Sequence, residues 1–222
     1  MSAYIFTPKS FELLAGLAEN NDKAWYADHK KDFEHSLRHP FARVLELASE
    51  QLADTETPLS GGAKTMFRQH RDIRFSQDKS PYSTHVSGVL TPSGTKSEKE
   101  GVFYLHLDAT GGMMACGFYQ LKAAELGPIR DRILEEPQLF AQVLAALEAA
   151  GVALSEDEKL KSMPQGYQEH VEHEYADYLK LKSFVTKTAL PKSVWLSDDL
   201  VAGIVSYVNS CQALLEFCKD AE

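Results

Sequence analysis

Basic side chains are concentrated between residues 64 and 82, in a chain that is otherwise acidic. The 222-residue chain has a formal net charge of −9. This stretch nevertheless carries five basic residues against only two acidic ones, Asp72 and Asp78. The basic residues are Lys64, Arg68, Arg71, Arg74 and Lys79. Guanidinium groups bind phosphates and carboxylates through paired, charge-assisted hydrogen bonds. The stretch therefore predicts a receptor for a small anionic molecule.

The spacing within residues 66–75 predicts a β-strand, because apolar and polar residues alternate with a period of two. The apolar face carries Phe67, Ile73 and Phe75, and the polar face carries Arg68, His70, Asp72 and Arg74. Arg71 falls on the apolar face, which predicts either a buried ion pair or a bulge that rotates it. Ser80-Pro81-Tyr82 then turns the chain and places Lys79 and Tyr82 near the end of the strand.

We expect this segment to combine anion binding with acid–base catalysis. Arg68, Arg71, Arg74 and Lys79 are the predicted substrate-binding residues. The predicted catalytic residues are His70 or His106 as the proton carrier, Asp72 to orient a guanidinium or an imidazole, and Tyr82 as an orienting donor.

A second group of polar residues lies on a predicted β-hairpin, in which residues 101–108 and 113–121 are strands separated by a turn. Tyr104, His106 and Asp108 alternate with apolar residues and share one face, which we expect to lie beside the basic segment. Tyr119 is expected to point the same way, and Tyr104 and Tyr119 are predicted to contact substrate. A half-exposed sheet face without chemistry has the same pattern.

Two other interpretations of the basic segment stay open. It can be a non-catalytic binding module for a protein or a nucleic-acid end, with Tyr82, Tyr104 and Tyr119 as stacking surfaces. It can also be a structural ion-pair network that holds the sheet to the helices. The acidic net charge argues against a duplex nucleic acid as partner. The sequence does not indicate whether the chain is an enzyme, nor its oligomeric state.

No cofactor is expected, because the sequence contains neither a GxGxxG nor a GxxxxGK[ST] motif. The stretch Glu169-His170-x-Glu172-His173-Glu174 has the composition of a metal site, since His170 and His173 would share a helix face. The nearby Pro164 and Gly166 make helical geometry doubtful there, and no metal is predicted.

The order of predicted elements gives an α+β fold, in which residues 1–222 form a single domain and helices at both ends flank a central, mostly antiparallel sheet. Thr7-Pro8 begins a first helix, Asp22 a second and Pro40 a third. Helices are also predicted at residues 122–135 and 137–150, a helical or mixed stretch at 175–184, and one long helix from about residue 200. A short strand is expected at residues 86–90.

Composition and cysteine usage predict a soluble, cytoplasmic protein without a membrane partner. No run of about 18 apolar residues is present, and the first residues lack the pattern of a signal peptide. Three irregularly spaced cysteines make no disulfide framework, so Cys116, Cys211 and Cys218 are expected to be buried and structural.

The pattern Arg68-x-x-Arg71-Asp72-x-Arg74-Phe75-x-x-x-Lys79-x-x-Tyr82 resembles the signature of a bacterial and fungal family defined by a conserved domain of unknown function. Similar features extend along nearly the whole chain, at residues 6–25, at Tyr104, at residues 117–119, at residues 163–167 and at residues 179–184. The resemblance implies membership and a shared site, and it implies no established reaction.

Overall fold

Helices precede and follow a four-stranded antiparallel sheet in the computed structural model, which describes residues 6–98, 101–219 and 221. The α+β prediction is confirmed. Residues 1–5, part of the region considered for a signal peptide, lie outside the described residues. In chain order the elements are α1 (Pro8–Glu19), α2 (Lys23–Phe33), α3 (His39–Leu52), β1 (His85–Leu90), β2 (Val102–Asp108), β3 (Gly111–Phe118), α4 (Ala123–Glu135), α5 (Pro137–Ala149), α6 (Ala176–Leu179), β4 (Phe184–Ala189), α7 (Lys192–Trp195), α8 (Leu200–Ser210) and α9 (Gln212–Lys219).

The sheet has the order β1-β2-β3-β4, so each strand pairs with its sequence neighbour. In β2, Phe103, Leu105 and Leu107 are fully buried and belong to the hydrophobic core, whereas Tyr104, His106 and Asp108 are half-buried. Helices α1, α3 and α9 pack next to the sheet. The sheet is therefore covered on its apolar face, and the polar residues of the predicted hairpin lie on the opposite face.

A close approach between β3 and β4 depends on Gly117. Its φ is 136°, and a Cβ atom at this position would lie 2.1 Å from the carbonyl oxygen of Phe184. Only glycine fits this conformation and this spacing without moving a strand.

Pro40 marks the start of a third helix, as predicted, but no break separates that helix from α2. Helices α2 and α3 are joined by a π-helical turn, Glu34–Arg38, and Pro40 lies in the first turn of α3. A proline cannot donate to a preceding carbonyl, and its ring crowds the carbonyl four residues earlier. The carbonyl of Ser36 instead accepts a hydrogen bond from the Ser10 hydroxyl at 2.8 Å. The π turn and Ser10 together accommodate the proline.

The long final helix was predicted in one piece, but the chain bends by 45° between α8 and α9. Helix α8 packs on α3, whereas α9 packs on α5 and β3, so the bend lets each half face its own neighbours. The predicted apolar stripe is buried throughout, at Leu200, Ile204, Val208, Cys211, Leu215 and Cys218. Cys116 is buried as well, as expected. Within the described ranges, no single helix is long and apolar enough to cross a membrane.

Strand β4 was missed by the sequence prediction. Of residues 175–184, only Ala176–Leu179 are helical, and β4 begins at Phe184. Its β-branched residues Val185, Thr186 and Thr188 are typical of strands.

Candidate functional site

Residues 66–82 do not form the predicted strand; only isolated bridges occur, at Met66 with Gly88 and at His70 with Tyr82. The segment nevertheless runs antiparallel to residues 81–88. The Phe67 amide donates to the Ser87 carbonyl at 2.9 Å, and the Arg71 amide donates to the Pro81 carbonyl at 2.9 Å. The prediction of a strand over residues 66–75, with one shared polar face, is therefore wrong.

Unequal spacing explains why no regular ladder forms. Met66 and His70 are four residues apart, whereas their partners Gly88 and Tyr82 are six apart, so the second segment carries two extra residues. The buried side-chain amide of Gln69 bridges the mismatch, because it donates to the Ser83 carbonyl and to the His85 carbonyl, the latter at 3.0 Å. A side chain thus replaces backbone donors at this point.

Residues 71–80, here called the 71–80 loop, satisfy most of their charges among themselves. Arg71 donates to Asp78 and, at 3.1 Å, to the Ser80 carbonyl. Arg74 forms a bidentate pair with Asp72 at 2.9 and 2.6 Å. Lys79 donates to the Ile73 carbonyl at 3.0 Å. Arg71 therefore makes the ion pair that its position suggested, in half-buried rather than fully buried surroundings.

The acidic residues of the loop are held in their charged forms. Hydrogen bonds from the Ser80 side chain and amide, followed by the contact with Arg71, lower the pKa of Asp78 to about 2. Hydrogen bonds from Arg74 lower the pKa of Asp72, and Arg68 adds a smaller electrostatic effect. At neutral pH both carboxylates are ionised, so the two arginines are already paired with anions.

The tip of the loop presents Phe75, whose surface is 95% exposed. The Arg74 guanidinium lies 5.8 Å from the centre of the Phe75 ring. An aromatic side chain this exposed contributes almost nothing to the core, although the loop that carries it is tied by several polar contacts.

Two further predicted residues of the segment, His70 and Tyr82, lie outside the 71–80 loop. Tyr82 is only 4% exposed and stacks on Tyr26 of α2, with ring centroids 4.1 Å apart. Its backbone is held by Asn21 through two hydrogen bonds. The exposed His70 lies with its ring 4.7 Å from that of Tyr82. Tyr82 is thus a packing residue that anchors the segment to the N-terminal helices.

Arg68 lines a surface cavity of about 250 Å³. The lining residues are Phe67, Arg68, Ser83, His85, Ser87 and Tyr104. Within residues 6–98, 101–219 and 221, no hydrogen bond or ion pair engages the Arg68 guanidinium. The structure therefore brings Arg68 together with Tyr104, and it does not place Arg71, Arg74 or Lys79 among the lining residues.

Five side chains of β1 and β2, here called the sheet-face cluster, form the floor beside this cavity: His85, Ser87, Tyr104, His106 and Asp108. Antiparallel pairing sets His85 opposite Asp108, and Ser87 opposite His106. The His85 and His106 rings stack at a centroid distance of 4.2 Å. The predicted face of Tyr104, His106 and Asp108 thus exists and is extended by two residues from β1.

A chain of polar contacts runs along β2 within this cluster. The Tyr104 hydroxyl lies 3.2 Å from Nδ1 of His106, and Nε2 of His106 lies 3.2 Å from Asp108. The other oxygen of Asp108 accepts from the amide and hydroxyl of Thr110, at 2.7 and 2.6 Å. In neutral His106, donation from Nε2–H to Asp108 leaves Nδ1 to accept the Tyr104 O–H.

Burial keeps the cluster's rings in their uncharged forms. Burial, with a smaller contribution from His106, lowers the pKa of His85 to about 4. Burial also lowers the pKa of His106, although Asp108 opposes that shift. Burial raises the pKa of Tyr104. Near neutral pH the cluster therefore offers two neutral imidazoles and a protonated phenol, with Asp108 as its anion.

Tyr119, the last predicted substrate-binding residue, lies just after β3 and is 44% exposed. It lines a different small depression together with Asp157 and Lys187, whose side chains form an ion pair at 2.7 Å. Tyr119 makes the smallest of the contributions to the pKa of Tyr104, which it raises. Tyr119 is not among the residues that line the Arg68 cavity.

Sequence reasoning missed Phe67, Ser83, His85 and Ser87 as cavity residues, and Gln69 as the residue that joins its walls. A signal was present for two of them. In the predicted strand over residues 86–90, His85 and Ser87 alternate with Val86 and Gly88, which places them on the polar face of the sheet.

The histidine-rich stretch before α6 shows no metal geometry. His170 lies 3.6 Å from Glu169, and Nδ1 of His173 accepts from the Tyr175 amide. Among the described residues, no group of three or more histidine, cysteine, aspartate or glutamate side chains is arranged to hold a metal ion.

Fold and cavity together define an α+β protein with a polar cluster on the free face of an antiparallel sheet. The chain belongs to the family described as conserved hypothetical protein (DUF2461), whose profile matches residues 9–217. The family resemblance drawn from the sequence is thereby confirmed. Comparisons with curated proteins and with solved structures give no significant match.

Proposed function

We propose that this protein binds a small anionic molecule in the cavity between Arg68 and the sheet-face cluster. The observation that carries the proposal is that Arg68, without an ionic partner among the described residues, lines the same cavity as Tyr104. A guanidinium beside half-buried polar groups is a natural counter-charge for a carboxylate or phosphate. The anion site is therefore assigned to Arg68 and the sheet face, while Arg71, Arg74 and Lys79 shape the adjacent loop.

The same cluster supports acid–base chemistry on the bound molecule. Tyr104 is protonated and donates its one O–H to Nδ1 of neutral His106, so its phenol oxygen is left to accept from a donor group of the bound molecule. A proton lost by Tyr104 would pass to Nδ1 of His106, and Asp108 would stabilise the resulting imidazolium. In this scheme His106 takes the predicted role of proton carrier, and Asp108 rather than Asp72 orients it.

Anion titration of matched arginine variants tests the proposal. We expect acetate and phosphate, followed by amide chemical shifts in NMR, to perturb residues around Arg68 and Tyr104. Arg68→Gln should weaken the binding about tenfold or more, because charge-assisted hydrogen bonds contribute roughly 1.5–3 kcal/mol each. Arg74→Gln is the control, since Arg74 is tied to Asp72 and is not among the lining residues. Equal losses in both variants, or none in either, would refute the assignment.

A second function, a non-catalytic binding module, is favoured by the exposed Phe75. A braced loop that presents one aromatic ring and an adjacent guanidinium offers two planar surfaces for stacking. Tyr82 is buried and is not available for this role, which Phe75 takes instead. The partner proposed for this surface is the end of a single-stranded nucleic acid.

Binding of a fluorescent single-stranded oligonucleotide tests this second function. We expect Phe75→Ala to weaken binding by about 5- to 150-fold, since stacking contributes roughly 1–3 kcal/mol per base. Phe67→Ala changes an aromatic residue outside the loop and should leave the affinity unchanged. Absence of salt-sensitive binding by the unmodified protein would exclude the module.

A further inference from the structure

We infer that the Arg68 cavity selects a small monocarboxylate that carries an apolar or aromatic body, over a phosphate ester of the same shape. This inference rests on the proposed anion-binding function and specifies its ligand. It follows from the number of fixed charges around the cavity, from the apolar part of its wall and from its size.

The fixed positive charge of the cavity is a single guanidinium. Arg68 is the one lysine or arginine among its lining residues. Arg38, which donates to the Phe67 carbonyl at 3.2 Å, is paired with Glu34.

The imidazoles beside Arg68 are those of His85, which lines the cavity, and of the neighbouring His106. The two imidazoles are stacked, so protonation of both would place two like charges about 4 Å apart. Asp108 contacts His106, and Asp72 lies near enough to Arg68 to be influenced by its charge. The site therefore balances one negative charge on a ligand and not two.

The difference between the two anions follows from their charge at neutral pH. A carboxylate carries one negative charge above its pKa of about 4, whereas a phosphate monoester carries nearly two, because its second pKa is about 6. The second charge of a phosphate would face neutral imidazoles and two nearby carboxylates. A monocarboxylate can use the same guanidinium fork without that repulsion.

The wall beside the guanidinium is aromatic. Phe67 is 38% exposed, and its ring centroid lies 6.3 Å from that of Tyr104 at an angle of 51°. Two tilted rings form an apolar corner, against which a flat or apolar group can pack while its carboxylate reaches Arg68. A volume of about 250 Å³ is below the roughly 300–1,000 Å³ typical of sites for drug-sized ligands. The ligand is thus a single-ring or short-chain acid.

Four probes distinguish the effect of the anionic group from that of the aromatic ring. They are acetate, benzoate, inorganic phosphate and phenyl phosphate, each titrated into the full chain at pH 7.5. We expect benzoate to bind at least fivefold more tightly than phenyl phosphate and at least fivefold more tightly than acetate. Phe67→Ala should bring benzoate close to acetate while acetate binding is unchanged. Phe75→Ala is the matched control and should alter neither.

The outcomes distinguish this inference from the proposed function beneath it. Equal or tighter binding of phenyl phosphate would overturn the carboxylate preference and leave the anion site intact. Benzoate no tighter than acetate, or a preference for benzoate that survives Phe67→Ala, would overturn the aromatic wall. Failure of all four probes to bind would refute the proposed function itself.

Discussion

The 71–80 loop and the sheet-face cluster are both rich in charged and polar residues, but their groups are satisfied in opposite ways. In the loop, the half-buried Arg71 and the exposed Arg74 are paired with exposed carboxylates, and Lys79 donates to a backbone carbonyl. In the cluster, partly buried rings lose their charges, and the nearby Arg68 has no ionic partner among the described residues. A high density of charged residues therefore does not by itself identify a binding site. Charged groups without a partner and polar groups removed from water are the better indication of one.

The two regions also differ in what their contacts stabilise. Ion pairs between exposed side chains contribute little to global stability because water screens them. The loop contacts therefore fix a local conformation, with Phe75 at its tip. The cluster is built on paired strands whose opposite face lies in the core, so its geometry depends on the whole fold.

Gln69 connects the two regions, and its replacement should cause the largest loss of unfolding free energy among the changes considered. Its buried amide holds the carbonyls of Ser83 and His85, which belong to residues of the cavity wall. Gln69→Ala leaves both carbonyls without that donor, so we expect the unfolding free energy to fall by about 2 kcal/mol. Urea unfolding measures this change. The exposed Gln77 is the control, and Gln77→Ala should stay within about 0.5 kcal/mol of the unmodified protein. Equal effects would show that Gln69 does not join the walls.

Acid should weaken the cluster before it affects the loop. The folded protein holds the pKa of His85 near 4, whereas an unperturbed histidine has a value of 6.5. Between these two pKa values, His85 binds a proton in the unfolded chain but not in the folded chain. The unfolding free energy therefore falls as the pH falls from 6.5 to 4. We expect a loss of about 1–2 kcal/mol, after allowance for solvent screening at this partly exposed ring.

Denaturant titrations across that pH range measure the loss. His85→Gln removes this titrating group and should make the profile shallower, while His106, whose pKa is also lowered by burial, keeps part of the slope. His39→Gln is the control, because the His39 side chain is 75% exposed, and its slope should match that of the unmodified protein. A profile that is equally steep in all three proteins would rule out desolvation of His85 as the cause.

Much of the fold was predictable because its signals are local. Alternation identified the hairpin of β2 and β3, and apolar spacing identified the helices and their buried stripes. Alternation failed over residues 66–75, because Gln69 supplies bonds that a regular ladder takes from the backbone. Apolar spacing could not show the bend between α8 and α9, since the stripe stays buried through it. Both failures have a tertiary cause that no local pattern contains.

The candidate site was predictable in part for the same reason. Tyr104, His106 and Asp108 share a face by strand geometry, so the sequence placed them together. The pairing of Arg71 with Asp78, and of Arg74 with Asp72, depends on how the loop closes. Arg68 takes part in neither pair, and a count of charges along the chain cannot reveal which arginines are paired.

Changes in the local opening of the 71–80 loop should be the smallest of these effects. They test most directly the contrast between the loop and the sheet-face cluster. Chymotrypsin cleaves after exposed phenylalanine, and Phe75 is accessible, so the rate of cleavage there reports how firmly the loop is held. Arg71→Ala removes the contacts with Asp78 and Ser80, and we expect cleavage after Phe75 to accelerate several-fold. The melting temperature should change by no more than about 2–4 °C, because exposed ion pairs contribute at most about 1 kcal/mol.

Arg68→Ala is the matched control for that experiment, since the same residue type is removed from the cavity instead of the loop. Its cleavage rate should equal that of the unmodified protein, because Arg68 makes no hydrogen bond to the loop among the described residues. If Arg68→Ala also accelerated cleavage, the Arg68 guanidinium would stabilise the loop rather than be available to bind an anion. If Arg71→Ala had no effect on cleavage, the ion pairs would not be what fixes the loop conformation. The contrast between a loop with paired charges and a cavity with an unpaired arginine would then be wrong for the loop.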